Sequence, residues 1–125
     1  MAIELEELNA WAPPGGPFQR IETLGGGLLN WVARAYGSAG TAVIKRFGTF
    51  AAAAPGITLE LSRFDIEASA LSQIPPLLAD ANANVTTPQL IARHEEQHTL
   101  VLEDLRDSLP LEHWVSDNGS EDALT

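Results

Sequence analysis

Apolar positions along this chain follow two different periods. From Phe18 to Arg46, and again from Pro88 to Leu102, they alternate or sit in short runs rich in Val, Ile, Leu and aromatic residues. From Ile57 to Ile74 they recur at steps of three and four, at Ile57, Leu61, Phe64, Ala68, Leu71 and Ile74. The first pattern predicts half-buried strands and the second an amphipathic helix. Three strands are expected in succession, Phe18 to Leu24, Leu28 to Tyr36 and Thr41 to Arg46. Short glycine-bearing turns, Gly25-Gly26-Gly27 and Gly37-Ser38-Ala39-Gly40, join them into an antiparallel meander. Residues 88–93 and 99–102 predict a closing hairpin with His94 to His98 at its turn. The fold class is therefore α+β: a five-stranded antiparallel sheet with one main helix packed on it.

The boundaries follow from local chemistry. Thr58 suits the helix N-cap, and Pro75-Pro76 is expected to break or kink the helix near its end. Thr49 to Gly56, with four alanines, reads as a loop, as does the asparagine-bearing Ala79 to Thr87. Residues 4–11 suit a short amphipathic turn of helix with Leu5, Leu8 and Trp11 on one side, ended by Pro13-Pro14-Gly15-Gly16-Pro17. This divides the chain into an amino-terminal extension (1–17), a lobe (18–106) and a terminal segment (107–125) whose polar, acidic end is expected to be disordered.

Two charges interrupt the apolar pattern. Alternation in the third strand puts Thr41, Val43 and Lys45 on one side and Ala42, Ile44 and Arg46 on the other. Lys45 thus shares a half-apolar face, where a lysine ordinarily snorkels to water. In the helix, at about 100° per residue, Glu67 lies about 60° from Phe64, inside the apolar stripe. Glu60 projects to the same side but lies in the first turn, where the helix dipole accounts for it. A carboxylate facing a core needs a partner. Either Glu67 reaches solvent at the edge of the stripe, or it pairs with Lys45.

Composition narrows the function classes. A length of 125 residues suits one small domain, and 45% hydrophobic content is enough for a core. The net charge of -10 argues against a nucleic-acid surface. There is no cysteine, so neither a disulfide framework nor a thiolate metal site is available. No apolar run approaches the roughly 20 residues of a membrane span. The acidic start, Glu4-Leu5-Glu6-Glu7, is unlike a secretory signal. A cytoplasmic protein that binds neither nucleic acid nor membrane is expected.

The order of parts resembles the amino-terminal lobe of the aminoglycoside phosphotransferase family, which has a protein-kinase-like fold. The resemblance spans roughly residues 18 to 106. Four segments carry it: Leu24-Gly25-Gly26-Gly27-Leu28-Leu29-Asn30, Val43-Ile44-Lys45, Arg63-Phe64-Asp65-Ile66-Glu67-Ala68-Ser69-Ala70-Leu71, and Leu100-Val101-Leu102-Glu103-Asp104-Leu105. It implies ATP as ligand. Gly25, Gly26 and Gly27, with Asn30, would cradle phosphates through backbone amides. Lys45 would reach the α and β phosphates, held by Glu67. The Glu103 carbonyl and the Leu105 amide would read the adenine edge, with Val32 and Val43 as its apolar roof.

Two departures qualify the resemblance. Family members carry Ser or Thr before the asparagine of the glycine loop, where this chain has Leu29. The family's His-Gly-Asp loop and metal-binding aspartate belong to a carboxyl-terminal lobe; here His113 is followed by Trp114, and Asp117-Asn118 has the wrong spacing. The resemblance thus implies a nucleotide-binding lobe not catalytically competent alone, with magnesium held by the missing lobe. The expected partners are nucleotide and a separate carboxyl-terminal lobe or a second copy. A stand-alone, non-catalytic nucleotide-binding or interaction module is the alternative.

A third class is a zinc peptidase, because His94-Glu95-Glu96-Gln97-His98 matches His-Glu-x-x-His. On a helix, that spacing aims both imidazoles at one metal. Leu90, Ile91, His94, His98, Val101, Leu102 and Leu105 also fit a helical period, with Thr87 as cap and Pro88 at the first position. No third ligand follows at a family spacing, and Thr99 and Val101 favour a strand.

Overall fold

The branched and aromatic runs do form the strands. The computed structural model describes residues 3–24, 30–51, 54–82, 84 and 87–105. Helix α1 spans Leu5–Ala10, and strands β1, β2 and β3 span Phe18–Thr23, Trp31–Gly37 and Gly40–Arg46. A small hairpin follows, β4 (Phe50–Ala51) and β5 (Ala54–Thr58), then helix α2 (Ser62–Asp80), then β6 (Leu90–His94) and β7 (Thr99–Glu103). The main sheet has the order β1-β2-β3-β7-β6, every neighbouring pair antiparallel. The architecture is the expected α+β one, an open five-stranded antiparallel sheet with α2 as its main helix.

Alternation along β3 divides the core in two. Ala42, Ile44 and Arg46 are buried on one face, beneath α1. There Ile3, Leu8 and Phe18 pack with Ala33, Ala35, Ile44 and Val101. The alanines of β2 and β3 leave space that Leu8 and Phe18 fill. Burying Leu8 alone is worth about 1.5–3 kcal/mol. Polar contacts fix the same helix. The Asn9 amide both donates to the Phe18 carbonyl and accepts from its N–H, each at 2.9 Å. Glu7 meets the buried Arg46 guanidinium at 2.7 Å. The segment expected to be an extension thus shares the lobe's core.

The opposite face carries α2. Phe47, Phe64, Ala68, Leu100 and Leu102 form its buried cluster, flanked by Val43, Leu71 and Leu90. The buried stripe of α2 is shorter than its sequence period, since Ile74 is exposed. Ile66 and Leu77, three turns apart on the outer side, are also exposed.

Three boundaries differ from expectation. Helix α2 begins at Ser62 rather than near Ile57, because Ile57 and Thr58 are taken by β5 and Leu59 N–H donates to the Thr49 carbonyl. Thr58 is therefore no cap; Leu61 holds that position without a side-chain bond. Part of the loop expected at 49–56 is the β4–β5 hairpin, whose Ala-Pro-Gly sequence carries little strand propensity. Pro75 and Pro76 do not end α2, which runs through both to Asp80. They remove two amide donors, and Pro76 lies on the exposed side, where water can serve the freed carbonyl. The expected disordered end lies outside the described residues.

Candidate functional site

Lys45 and Glu67 meet. The ammonium Nζ lies 2.5 Å from Glu67 Oε1, with the two side chains 23% and 30% exposed. The sheet register explains the position of the lysine. Lys45 stands opposite Val32 on one side and Leu100 on the other, on the α2 face. Helix α2 crosses that face on Phe64 and Ala68, and Glu67, about 60° round the helix from Phe64, meets Lys45 of β3. Among the described residues Glu67 is the only hydrogen-bond partner of the Lys45 ammonium, which leaves two of its donors for a ligand. The Phe47 ring lies 5.5 Å from Nζ.

The other expected site residues fall around this pair. Val32 and Val43 are partly buried and share the face, Val43 one row along from Val32. Asn30 accepts a hydrogen bond from Arg63 Nη1 at 3.0 Å. At the end of β7, the Glu103 amide donates to the Gln89 carbonyl at 2.9 Å, and the Glu103 carboxylate accepts from the Gln89 amide at 3.3 Å. Leu105 is exposed just beyond. Gly25, Gly26 and Gly27 lie outside the described residues. The described residues before them end at Leu24, whose N–H donates to the Val32 carbonyl, and those after them begin at Asn30.

Sequence reasoning did not find a second polar cluster on this face. The Asp104 carboxylate accepts from Arg34 Nε at 2.8 Å, Arg34 Nη2 at 3.2 Å and Thr41 Oγ1 at 2.6 Å. Its side chain is only 3% exposed, and that of Arg34 21%. The hydrogen bond to Asp104 raises the Arg34 guanidinium above its ordinary value, against the opposing effect of burial. This cluster pins the end of β7 to β2 and β3, beside the segment expected to read a base. Arg34 and Asp104 are seventy residues apart, so only the strand register brings them together.

Arg63 is the other residue missed. It stands four before Glu67, so both lie on one side of α2, a spacing legible in the sequence. A third cation, Arg93, ties β6 to α2 through Asp65 at 2.7 Å and also meets Glu95 at 2.6 Å. Its hydrogen bonds to Glu95 and then to Asp65 raise its guanidinium above the ordinary value.

The helix that the zinc alternative requires is not formed. Residues 90–103 form a hairpin rather than a helix, with Glu95 to His98 in its turn. The His94 ring packs 4.6 Å from Trp11, on the α1 face. The His98 ring packs 5.4 Å from Phe64, on the α2 face. The two imidazoles therefore diverge across the sheet. Among the described residues no group of three His, Asp or Glu side chains is gathered as a metal site.

Among the described residues no helix is long and apolar enough to cross a membrane. No family model matches the chain, and no curated protein matches it.

Proposed function

We propose that this chain is the nucleotide-binding lobe of a cytoplasmic, ATP-dependent small-molecule phosphotransferase resembling the aminoglycoside phosphotransferases. A second lobe would supply the catalytic base and the magnesium ligands. The observation that carries the reading is the Lys45–Glu67 pair on the partly open sheet face. A carboxylate inside a helix stripe holds an ammonium that keeps two donors for a ligand. That arrangement suits a phosphate oxygen, which a compact point charge binds well. The strand order β1-β2-β3-β7-β6, with α2 between β3 and the final hairpin, agrees with the resemblance. Val32, directly across from Lys45, and Val43, one row along, supply an apolar patch where a base would lie flat.

In this reading the lobe binds and orients, and performs no bond-breaking step. Lys45 holds the inner phosphates and Glu67 keeps the ammonium on the sheet face. ATP supplies the transferable phosphoryl group.

The test is calorimetric titration of the chain with ATP, beside Lys45→Met with its thermal melt as a folding control. Saturable binding that weakens at least about tenfold in Lys45→Met, a change of about 1.4 kcal/mol, is expected. No binding by the unaltered chain, or equal binding by a folded Lys45→Met, overturns the proposal.

A further inference from the structure

Seven basic side chains stand against seventeen acidic ones in this chain. Arg20, Arg34, Lys45, Arg46 and Arg93 each meet a carboxylate. Arg63 does not. Among the described residues its guanidinium donates only to neutral oxygens: Nη1 to Asn30 Oδ1 at 3.0 Å, Nη2 to the Gly48 carbonyl at 3.3 Å, and Nε to the Glu60 carbonyl at 3.2 Å. The carboxylates nearest in sequence are engaged elsewhere. Glu60 accepts from Ser62, Asp65 from Arg93 and Glu67 from Lys45. In so acidic a chain, a cation left without a carboxylate marks a place where an anion is welcome.

Its position says which anion. Arg63 lies one helical turn, about 5.4 Å, before Glu67 on the same side of α2. Its hydrogen bond to Asn30 places it where the chain leaves the glycine loop. Arg63 Cζ and Lys45 Nζ lie 5.4 Å and 5.5 Å from the centre of the Phe47 ring, so the two charges are no more than about 11 Å apart. A chain of phosphates that begins on one can end on the other.

We propose that Arg63 binds the terminal phosphate of a nucleoside triphosphate whose inner phosphates lie on Lys45, so that the lobe itself distinguishes ATP from ADP. The inference rests on the nucleotide-binding reading above. A planar guanidinium suits a terminal phosphate because two parallel N–H donors match two of its oxygens. Asn30 and the Gly48 carbonyl hold the fork from behind without neutralising it. ADP, lacking the third phosphate, leaves Arg63 on those neutral oxygens and gains nothing from it.

The test titrates the full chain with ATP and with ADP, in the unaltered protein, Arg63→Gln and Arg63→Lys, each with a thermal melt. The unaltered chain is expected to bind ATP about tenfold more tightly than ADP, and Arg63→Gln to erase that preference while leaving ADP within about twofold. Arg63→Lys keeps the charge but loses the fork, and is expected to cut the preference several-fold. It serves if Arg63→Gln does not fold. An unaltered chain that binds both nucleotides equally overturns the inference alone, as does a folded variant with unchanged preference or with ATP and ADP weakened together. An unaltered chain that binds neither nucleotide removes the underlying reading, and this inference with it.

Discussion

Asp104 fastens three strands at one point, and replacing it with alanine tests how much of the fold depends on that point. Its nearly buried carboxylate accepts two hydrogen bonds from Arg34 on β2 and one from Thr41 on β3. Asp104→Ala removes at once the acceptor of three hydrogen bonds, two from the guanidinium and one from the hydroxyl. Removing one partner of a buried ion pair costs about 3–5 kcal/mol. Arg34 is one-fifth exposed, and Glu22 Oε1 lies 4.0 Å from its Nη1 as a fallback acceptor, which lowers the figure. We expect a loss of about 3 kcal/mol, and a melting temperature lower by about 10–15 °C.

Urea unfolding followed by tryptophan fluorescence measures this loss, and an unchanged m-value shows that the same surface is still exposed on unfolding. A cycle with Arg34→Met isolates the pair and is expected to show coupling of at least about 1 kcal/mol. Acidity within the usual range will not release the arginine side of the pair. The Arg34 value is raised by folding, so its contribution is fully present below the ordinary guanidinium value and is lost only above the folded one. A loss under about 1 kcal/mol in Asp104→Ala, or additive effects in the cycle, would refute the argument that this carboxylate fastens the strands.

Two further outcomes follow from the corrected elements. Pro76→Ala returns an amide donor to an exposed stretch of α2 and should raise stability by about 1–3 kcal/mol in the same urea assay; a lower stability would show that the proline matches a local bend. Because His94 and His98 face opposite sides of the sheet, the purified chain should retain no stoichiometric zinc by elemental analysis, before or after His98→Ala; one zinc per chain lost on that substitution would contradict the described hairpin.

What could be read in advance was whatever depends on neighbours along the chain. Alternation in Thr41 to Arg46 put Lys45 on the face of Val43, and helical spacing put Glu67 inside the stripe of Phe64 and Ala68; the structure joins them. The same local reasoning misplaced the start of α2. Ile57 and Leu61 fit the helical period, but the strand pairing of β5 claimed residues 54–58. It left open whether Pro75-Pro76 breaks or kinks α2, and the helix continues through both, since a proline pair costs a helix amide donors without forbidding it where solvent can replace them.

The hydrophobic pattern alone determined that this chain forms an antiparallel sheet under one main helix, because side-chain direction repeats with period two in strands and near 3.6 in helices. Only the tertiary structure decided the Asp104 cluster, the divergence of the two histidines and the docking of α1 on the far face. Each depends on which strands lie side by side and in what register, and residues seventy positions apart carry no local sign that they will meet.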